Sequence, residues 1–132
     1  AIAFLSKSMK ISSLIEQRGD VHHIFPKKYL MNNGYPQKAY NQVANFVYTE
    51  QATNIKVGML TPEDYLNKVK VQIQAGTNEI STIDSEISLK ENFITNDIPD
   101  FIEKSGHLEY EHFLEERRRL MANKLKGYYE QL

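Results

Sequence analysis

Two adjacent histidines, His22 and His23, stand in the run Asp20-Val21-His22-His23-Ile24-Phe25-Pro26, with apolar residues on either side and a proline that stops it. An imidazole titrates near neutrality and serves either as a proton acceptor or as a metal ligand. If the run is a strand, alternation turns the two rings to opposite faces, which suits two different tasks. Downstream, Asn45 precedes the strand-like run Phe46-Val47-Tyr48, and Asn54 falls in a short helical pattern nine residues further on. Phosphodiester hydrolysis is one chemistry that needs such a set. A water must lose a proton, charge growing on the phosphate must be neutralised, and the departing 3′-oxygen must be stabilised. A histidine suits the first task, with a contribution of roughly 10²–10⁴-fold. A divalent cation touching the phosphate and the leaving oxygen suits the other two. One apolar-flanked histidine is more often an ordinary core residue; the pair with both asparagines favours a site.

The elements that must position these residues are short. Met9, Ile11, Leu14 and Ile15 suggest a small amphipathic helix closing near Gly19. A first strand is expected over 20–25, then a helix turn opened by Pro26 that runs through Lys27–Met31 to the turn signal Asn33-Gly34. Pro36 opens another short helix, with Ala39, Tyr40, Val43 and Ala44 on one side. Phe46-Val47-Tyr48 should pair with the first strand. Thr49 is a plausible N-cap for a helix over 50–57. Beyond Gly58 the pattern is helical. Thr61-Pro62-Glu63-Asp64 reads as a helix start, continued by Tyr65, Leu66, Val69 and Ile73 up to Gly76. A helix over 81–95 should turn Ile83, Ile87 and Phe93 inward, and Asn96-Asp97-Ile98-Pro99 interrupts it. A long terminal helix from about 108 carries the stripe Tyr110, Phe113, Leu114, Met121, Leu125, Tyr128 and Leu132.

Length and composition bound the rest. A chain of 132 residues with 41% hydrophobic and 25% charged content suits one domain with one core, not a disordered chain. It has neither a signal-peptide pattern nor an apolar run of membrane-spanning length, which fits a cytoplasmic protein with no membrane partner. With no cysteine there is no disulfide framework and no thiolate zinc site. Net charge is −1, but it is unevenly spread. Residues 1–60 hold seven Lys/Arg against three Asp/Glu, residues 61–112 four against eleven, and the last twenty five against three. A polyanion is therefore drawn to the half that carries the histidines, unless the asymmetry is only a solvated surface.

The segment from His22 to Asn54 resembles the HNH (ββα-metal) nucleases. That resemblance implies His23 as general base and His22 and Asn54 as metal ligands. Asn45 would hold the loop and orient the base by hydrogen bonding, although Asn41 competes with it for this middle role. The step from Asn45 to Asn54 looks like the HNH domain of RNA-guided CRISPR effectors, and the histidine pair looks like the colicin DNases. Several relatives carry a further ligand four residues from the last motif position, where this chain has Gly58 on one side and Glu50 on the other. A wider match extends over nearly the whole chain: Gly19 to Leu30, Asn41-Gln42-Val43-Ala44-Asn45, Asn54-Ile55-Lys56, Thr61 to Leu66, and Arg117-Arg118-Arg119-Leu120-Met121-Ala122. It resembles the C-terminal nuclease half of GmrSD-like restriction and phage-defence proteins. There a ParB-like nucleotide-hydrolysing domain precedes the nuclease; that domain is absent from this chain, which opens on Ala1-Ile2-Ala3 and reads as a C-terminal fragment.

The expected fold is α+β: a small ββα-metal HNH unit at about 20–57, embedded in a mostly helical domain continuing over 61–132. The expected activity is metal-dependent DNA endonucleolysis with a divalent ion, Mg²⁺ or Mn²⁺ ahead of Ni²⁺ or Zn²⁺. Lys27, Lys28 and Lys56 are candidate DNA phosphate contacts. Arg117 to Arg119 read as a helix surface or interdomain contact, and His107 and His112 as ordinary surface residues. The rival readings are a catalytically inactive HNH-fold module that binds DNA or a partner, and a domain whose metal is structural.

Overall fold

The computed structural model describes residues 2–16 and 21–132. Helices dominate, and the strands form a two-stranded antiparallel ribbon, so the chain is of mixed α+β type. β1 (Val21–His23) pairs with β2 (Phe46–Tyr48), placing Val21 opposite Tyr48, His22 opposite Val47 and His23 opposite Phe46. The strand expected over 20–25 is thus shorter: Asp20 lies outside the described residues, and Ile24 and Phe25 leave the ladder as a buried bend. The cause is local, because the side chain of Asn45 takes both backbone polar groups of Phe25.

α1 (Ile11–Glu16) forms where the apolar spacing placed a helix, and its expected closure near Gly19 lies outside the described residues. α2 (Lys27–Asn32) follows Pro26 and ends before Gly34, whose φ of 85° is a left-handed turn conformation natural to glycine. α3 (Gln37–Tyr40) follows Pro36, then a 3₁₀ turn at Val43–Asn45 leads into β2. Tyr40 and Ala44 are buried as expected, but Val43 is 71% exposed because the 3₁₀ turn breaks the helical phase. α4 (Gln51–Val57) follows β2. Its cap position is Glu50 rather than Thr49, without a side-chain cap bond, and Thr49 is buried against the N-terminal segment in a bridge to Phe4.

α5 (Pro62–Ala75) has the boundaries its signals predict: the Asp64 N–H donates to the Thr61 hydroxyl oxygen at 3.0 Å, and Gly76 closes the helix in the left-handed region. α6 (Glu86–Thr95) starts later than the expected residue 81, because Ser85 and Ser88 form a reciprocal capping box there. Ile83 is buried ahead of the helix, Leu89 and Phe93 face inward, and Ile87 faces water. Two 3₁₀ turns, Asp100–Lys104 and His107–Glu109, lead into α7 (Tyr110–Glu130). The stripe of α7 is buried only over Tyr110, Phe113 and Leu114; Leu125, Tyr128 and Leu132 are exposed.

Buried side chains from Phe4 to Leu114 join in one apolar cluster that includes Ile24, Phe25 and Leu30 beside the histidine strand. Each fully buried side chain of this kind contributes about 1.5–3 kcal/mol. Buried polar side chains fasten the irregular segments to this core. Asn92 accepts from Leu5 N–H and donates to the carbonyls of Ala3 and Ser6, tying the N-terminal segment to α6. Gln72 does the same for 80–83 from α5. Among the described residues no helix is long and apolar enough to cross a membrane.

Candidate metal and phosphate site

A cavity of about 450 Å³ opens beside β1, the start of α2 and the end of α4. It is lined by His22, His23, Pro26, Lys27, Lys28, Met31, Asn54 and Gly58. Five predicted site residues are thereby brought together: His22, His23, Asn54, Lys27 and Lys28. Lys56 is not among them; it lines a separate groove with Lys68, Val71, Glu79 and Ile80. Gly58 ends α4 with φ 54° and ψ −119°, a backbone state that a side chain resists, so the wall of the cavity turns there on a glycine.

Cross-strand partners share a face, so the register sets the two histidines apart. His22 stands beside buried Val47 and His23 beside half-buried Phe46. Both nonetheless line the same cavity.

The His23 ring is held from three sides. Its centroid lies 5.0 Å from that of Phe46 and 6.0 Å from that of Tyr40, both edge-on. Its Nε2 lies 2.8 Å from Asn41 Oδ1. Lys27 Nζ sits 5.7 Å over the Tyr40 ring, which keeps a positive charge at the rim.

Asn45 is fully buried and works on the backbone. Phe25 N–H donates to its Oδ1 at 2.8 Å, and its amide donates to the carbonyls of Phe25 and Tyr40, both at 3.1 Å. One side chain thus fastens the segment after β1 to the segment before β2. The loop-holding role expected of Asn45 matches this geometry. The side-chain hydrogen bond to His23 expected of it is made by Asn41 instead.

Two further residues brace the site from the helical part. The Tyr65 hydroxyl donates to Ile24 O at 2.8 Å; burial pushes its pKa up, against the pull of nearby Arg117, and keeps it a neutral donor. Arg117 is only 5% exposed and donates to the carbonyls of Ala44, Phe46 and Asn96. Burial pulls its pKa down to about 10 while Asp97 and Tyr65 act in the opposite direction, so it stays charged at neutral pH. This corrects the expectation that Arg117 is surface: it is an internal clamp, whereas Arg118 and Arg119 are exposed. The signal for it was its place one turn after Phe113 and Leu114 on the buried face of α7. His107 and His112 stay apart from the cavity; His112 is exposed and stacks on Phe101 at 4.7 Å.

Of the residues expected to hold a cation, the His22 imidazole and the Asn54 amide both line the cavity. Among the described residues no group of three or more His, Cys, Asp or Glu converges. Glu50 lies one helical turn before Asn54, whose N–H donates to its carbonyl. The Oε2 of Glu50 is buried without a hydrogen-bond partner among the described residues. No protein-family model, curated protein or solved structure matches this chain.

Proposed function

We propose that this chain is a metal-dependent DNA endonuclease that hydrolyses phosphodiester bonds with His23 as general base, in the manner of the HNH (ββα-metal) nucleases its motif resembles. The observation that supports this reading most is the meeting of His22, His23 and Asn54 with Lys27 and Lys28 on one cavity. On this reading β1, β2 and α4 form the ββα unit.

The roles follow from donor chemistry. His23, steadied by Phe46, Tyr40 and Asn41, takes the proton of the attacking water. His22 and Asn54 would hold the divalent ion, and the buried, unpartnered oxygen of Glu50 one turn away is a group that a cation would satisfy. The bound ion supplies neutralisation of charge on the phosphate and on the leaving oxygen. Lys27 and Lys28, exposed at the rim, hold flanking phosphates without reading bases. The setting proposed with this activity is a cytoplasmic restriction or phage-defence system, in which a ParB-like nucleotide-hydrolysing domain outside this chain governs cleavage.

Plasmid nicking with Mg²⁺, Mn²⁺, Ni²⁺ or Zn²⁺, and with EDTA, tests the reading. The expected result is nicking with at least one ion, abolished by EDTA. DNA binding with no nicking under any ion would favour a catalytically inactive binding module.

A further inference from the structure

We infer that Arg118 on α7, held in place by Gln42, is a phosphate-binding residue that carries the DNA-contacting rim of the cavity past His23. The choice of DNA as ligand rests on the nuclease reading of that cavity. Three consecutive residues make the connection. Tyr40 lies under Lys27 Nζ and edge-on to the His23 ring, Asn41 meets His23 Nε2, and Gln42 Oε1 accepts from Arg118 at 3.0 Å. Lys27 and Arg118 thus rest on residues that are two positions, or about 7 Å of chain at most, apart, and the residue between them meets His23.

Arg118 differs from the other cations of its helix. Arg119 pairs with Glu116 at 2.9 Å, Lys124 with Asp97 at 2.9 Å and Lys126 with Glu130 at 3.9 Å, and Arg117 is buried. Arg118 is exposed, and among the described residues it has no carboxylate partner, Glu115 on the preceding turn included; it donates to a neutral amide. That amide is fixed from its other end, because Gln42 Nε2 donates to Lys38 O at 2.6 Å. A guanidinium bracketed in this way keeps its charge and most of its N–H donors, in the planar fork that takes a phosphate through two bonds. Being ordered beforehand, it loses less freedom on binding. A strand seated in the cavity presents a phosphate at every ~3.4 Å of helix axis, so a further one beyond the lysine rim is there for Arg118 to take. An acidic protein surface is the rival occupant.

The test measures binding of a short fluorescein-labelled DNA duplex by anisotropy over a series of salt concentrations, in EDTA so that nothing is cleaved. The proteins are the wild type, Arg118→Ala, Gln42→Ala and Arg119→Ala. The logarithm of the binding constant falls with log salt at about 0.9 per phosphate contact, so one contact contributes roughly eightfold at ~0.1 M salt. Arg118→Ala should therefore weaken binding about eightfold and lower the slope by about one. Arg119→Ala removes the same charge from a residue already paired with Glu116, and should change Kd by less than about twofold. Gln42→Ala keeps the charge and loses the bracket, so it should weaken binding by about threefold with the slope unchanged. Equal losses in Arg118→Ala and Arg119→Ala, or an unchanged slope in Arg118→Ala, overturn the assignment and leave Arg118 to a protein contact; the nuclease reading, decided by nicking, is untouched. Wild-type affinity in Gln42→Ala overturns the bracket. The expected contrast with no nicking under any ion overturns the nuclease reading and supports the DNA surface. No DNA binding by the wild type overturns both.

Discussion

The guanidinium of Arg117 donates to Phe46 O at 2.6 Å, joining the middle of α7 to the first residue of the strand opposite His23. The same group reaches Ala44 O at 3.0 Å and Asn96 O at 3.1 Å. Substituting Arg117→Met keeps much of the side-chain volume but leaves these carbonyls without their donor in a buried place. Each such group costs about 1–3 kcal/mol, so a loss of roughly 3 kcal/mol or more is expected. Arg118→Ala and Arg119→Ala, on the exposed side of the helix, should each change stability by less than about 0.5 kcal/mol. Urea denaturation of the three variants checks the contrast.

Asn45 separates acceptor from donor in one side chain. Asn45→Ala removes three buried hydrogen bonds and should cost about 2–4 kcal/mol. Asn45→Asp should be worse than its size suggests, because a carboxylate oxygen then faces the carbonyls of Phe25 and Tyr40, which can only accept. Thermal unfolding with both variants is the measurement. A more stable Asn45→Asp than Asn45→Ala would mean the amide donors matter little.

Much of this framework is legible in residue types. Pro26, Pro36, Thr61-Pro62 and Gly76 mark helix ends where the structure has them, since proline and glycine act through their own backbone geometry. The pairing of 46–48 with the histidine run was readable because strand formers and turn signals flank it. Ser85 hid the start of α6, because its capping partner Ser88 is not the acid or glutamine that such a box usually shows. The exposed ends of the α7 stripe show a limit of periodicity: Leu125 and Leu132 keep helical spacing although no described residue covers them. Long-range partners were least readable. Nothing in the local pattern says that Arg117 meets Phe46, or that Asn41 rather than Asn45 meets His23.

His23→Ala probes the proposed base with little risk to the fold. The ring is half-buried and packs only edge-on against Phe46 and Tyr40. Cleavage should fall by about 10²–10⁴-fold while DNA binding and the circular dichroism spectrum stay unchanged. Nicking rates and a binding isotherm on one preparation decide it, and wild-type cleavage would remove His23 from the mechanism.

Glu50→Gln asks whether the carboxylate with the buried Oε2 belongs to the metal site. The substitution keeps size and removes the charge. If the Glu50 carboxylate helps hold the cation near Asn54, the metal concentration for half-maximal nicking should rise by about tenfold or more, because outer partners of metal sites carry effects of that size. Titration of Mn²⁺ into the nicking assay measures it. An unchanged midpoint would exclude the Glu50 carboxylate from the metal site.

His22 and His23 share a dipeptide but not a face, so exchange at each position should have different consequences. If His22 coordinates the ion, His22→Ala removes a ligand, and activity should drop at every metal concentration reachable without precipitation. Aspartate offers oxygen in place of nitrogen, and oxygen donors suit harder ions such as Mg²⁺ and Mn²⁺. His22→Asp should therefore retain cleavage and move its preference away from Ni²⁺ or Zn²⁺ towards Mg²⁺. The same exchange at His23 should not rescue, because a carboxylate with an ordinary pKa near ~4 is a poor acceptor for a water proton at neutral pH. A grid of nicking rates, each ion against each variant, reads all of this at once. If His22→Asp is as inactive as His22→Ala in Mg²⁺ and Mn²⁺ while both remain folded, His22 is not a metal ligand.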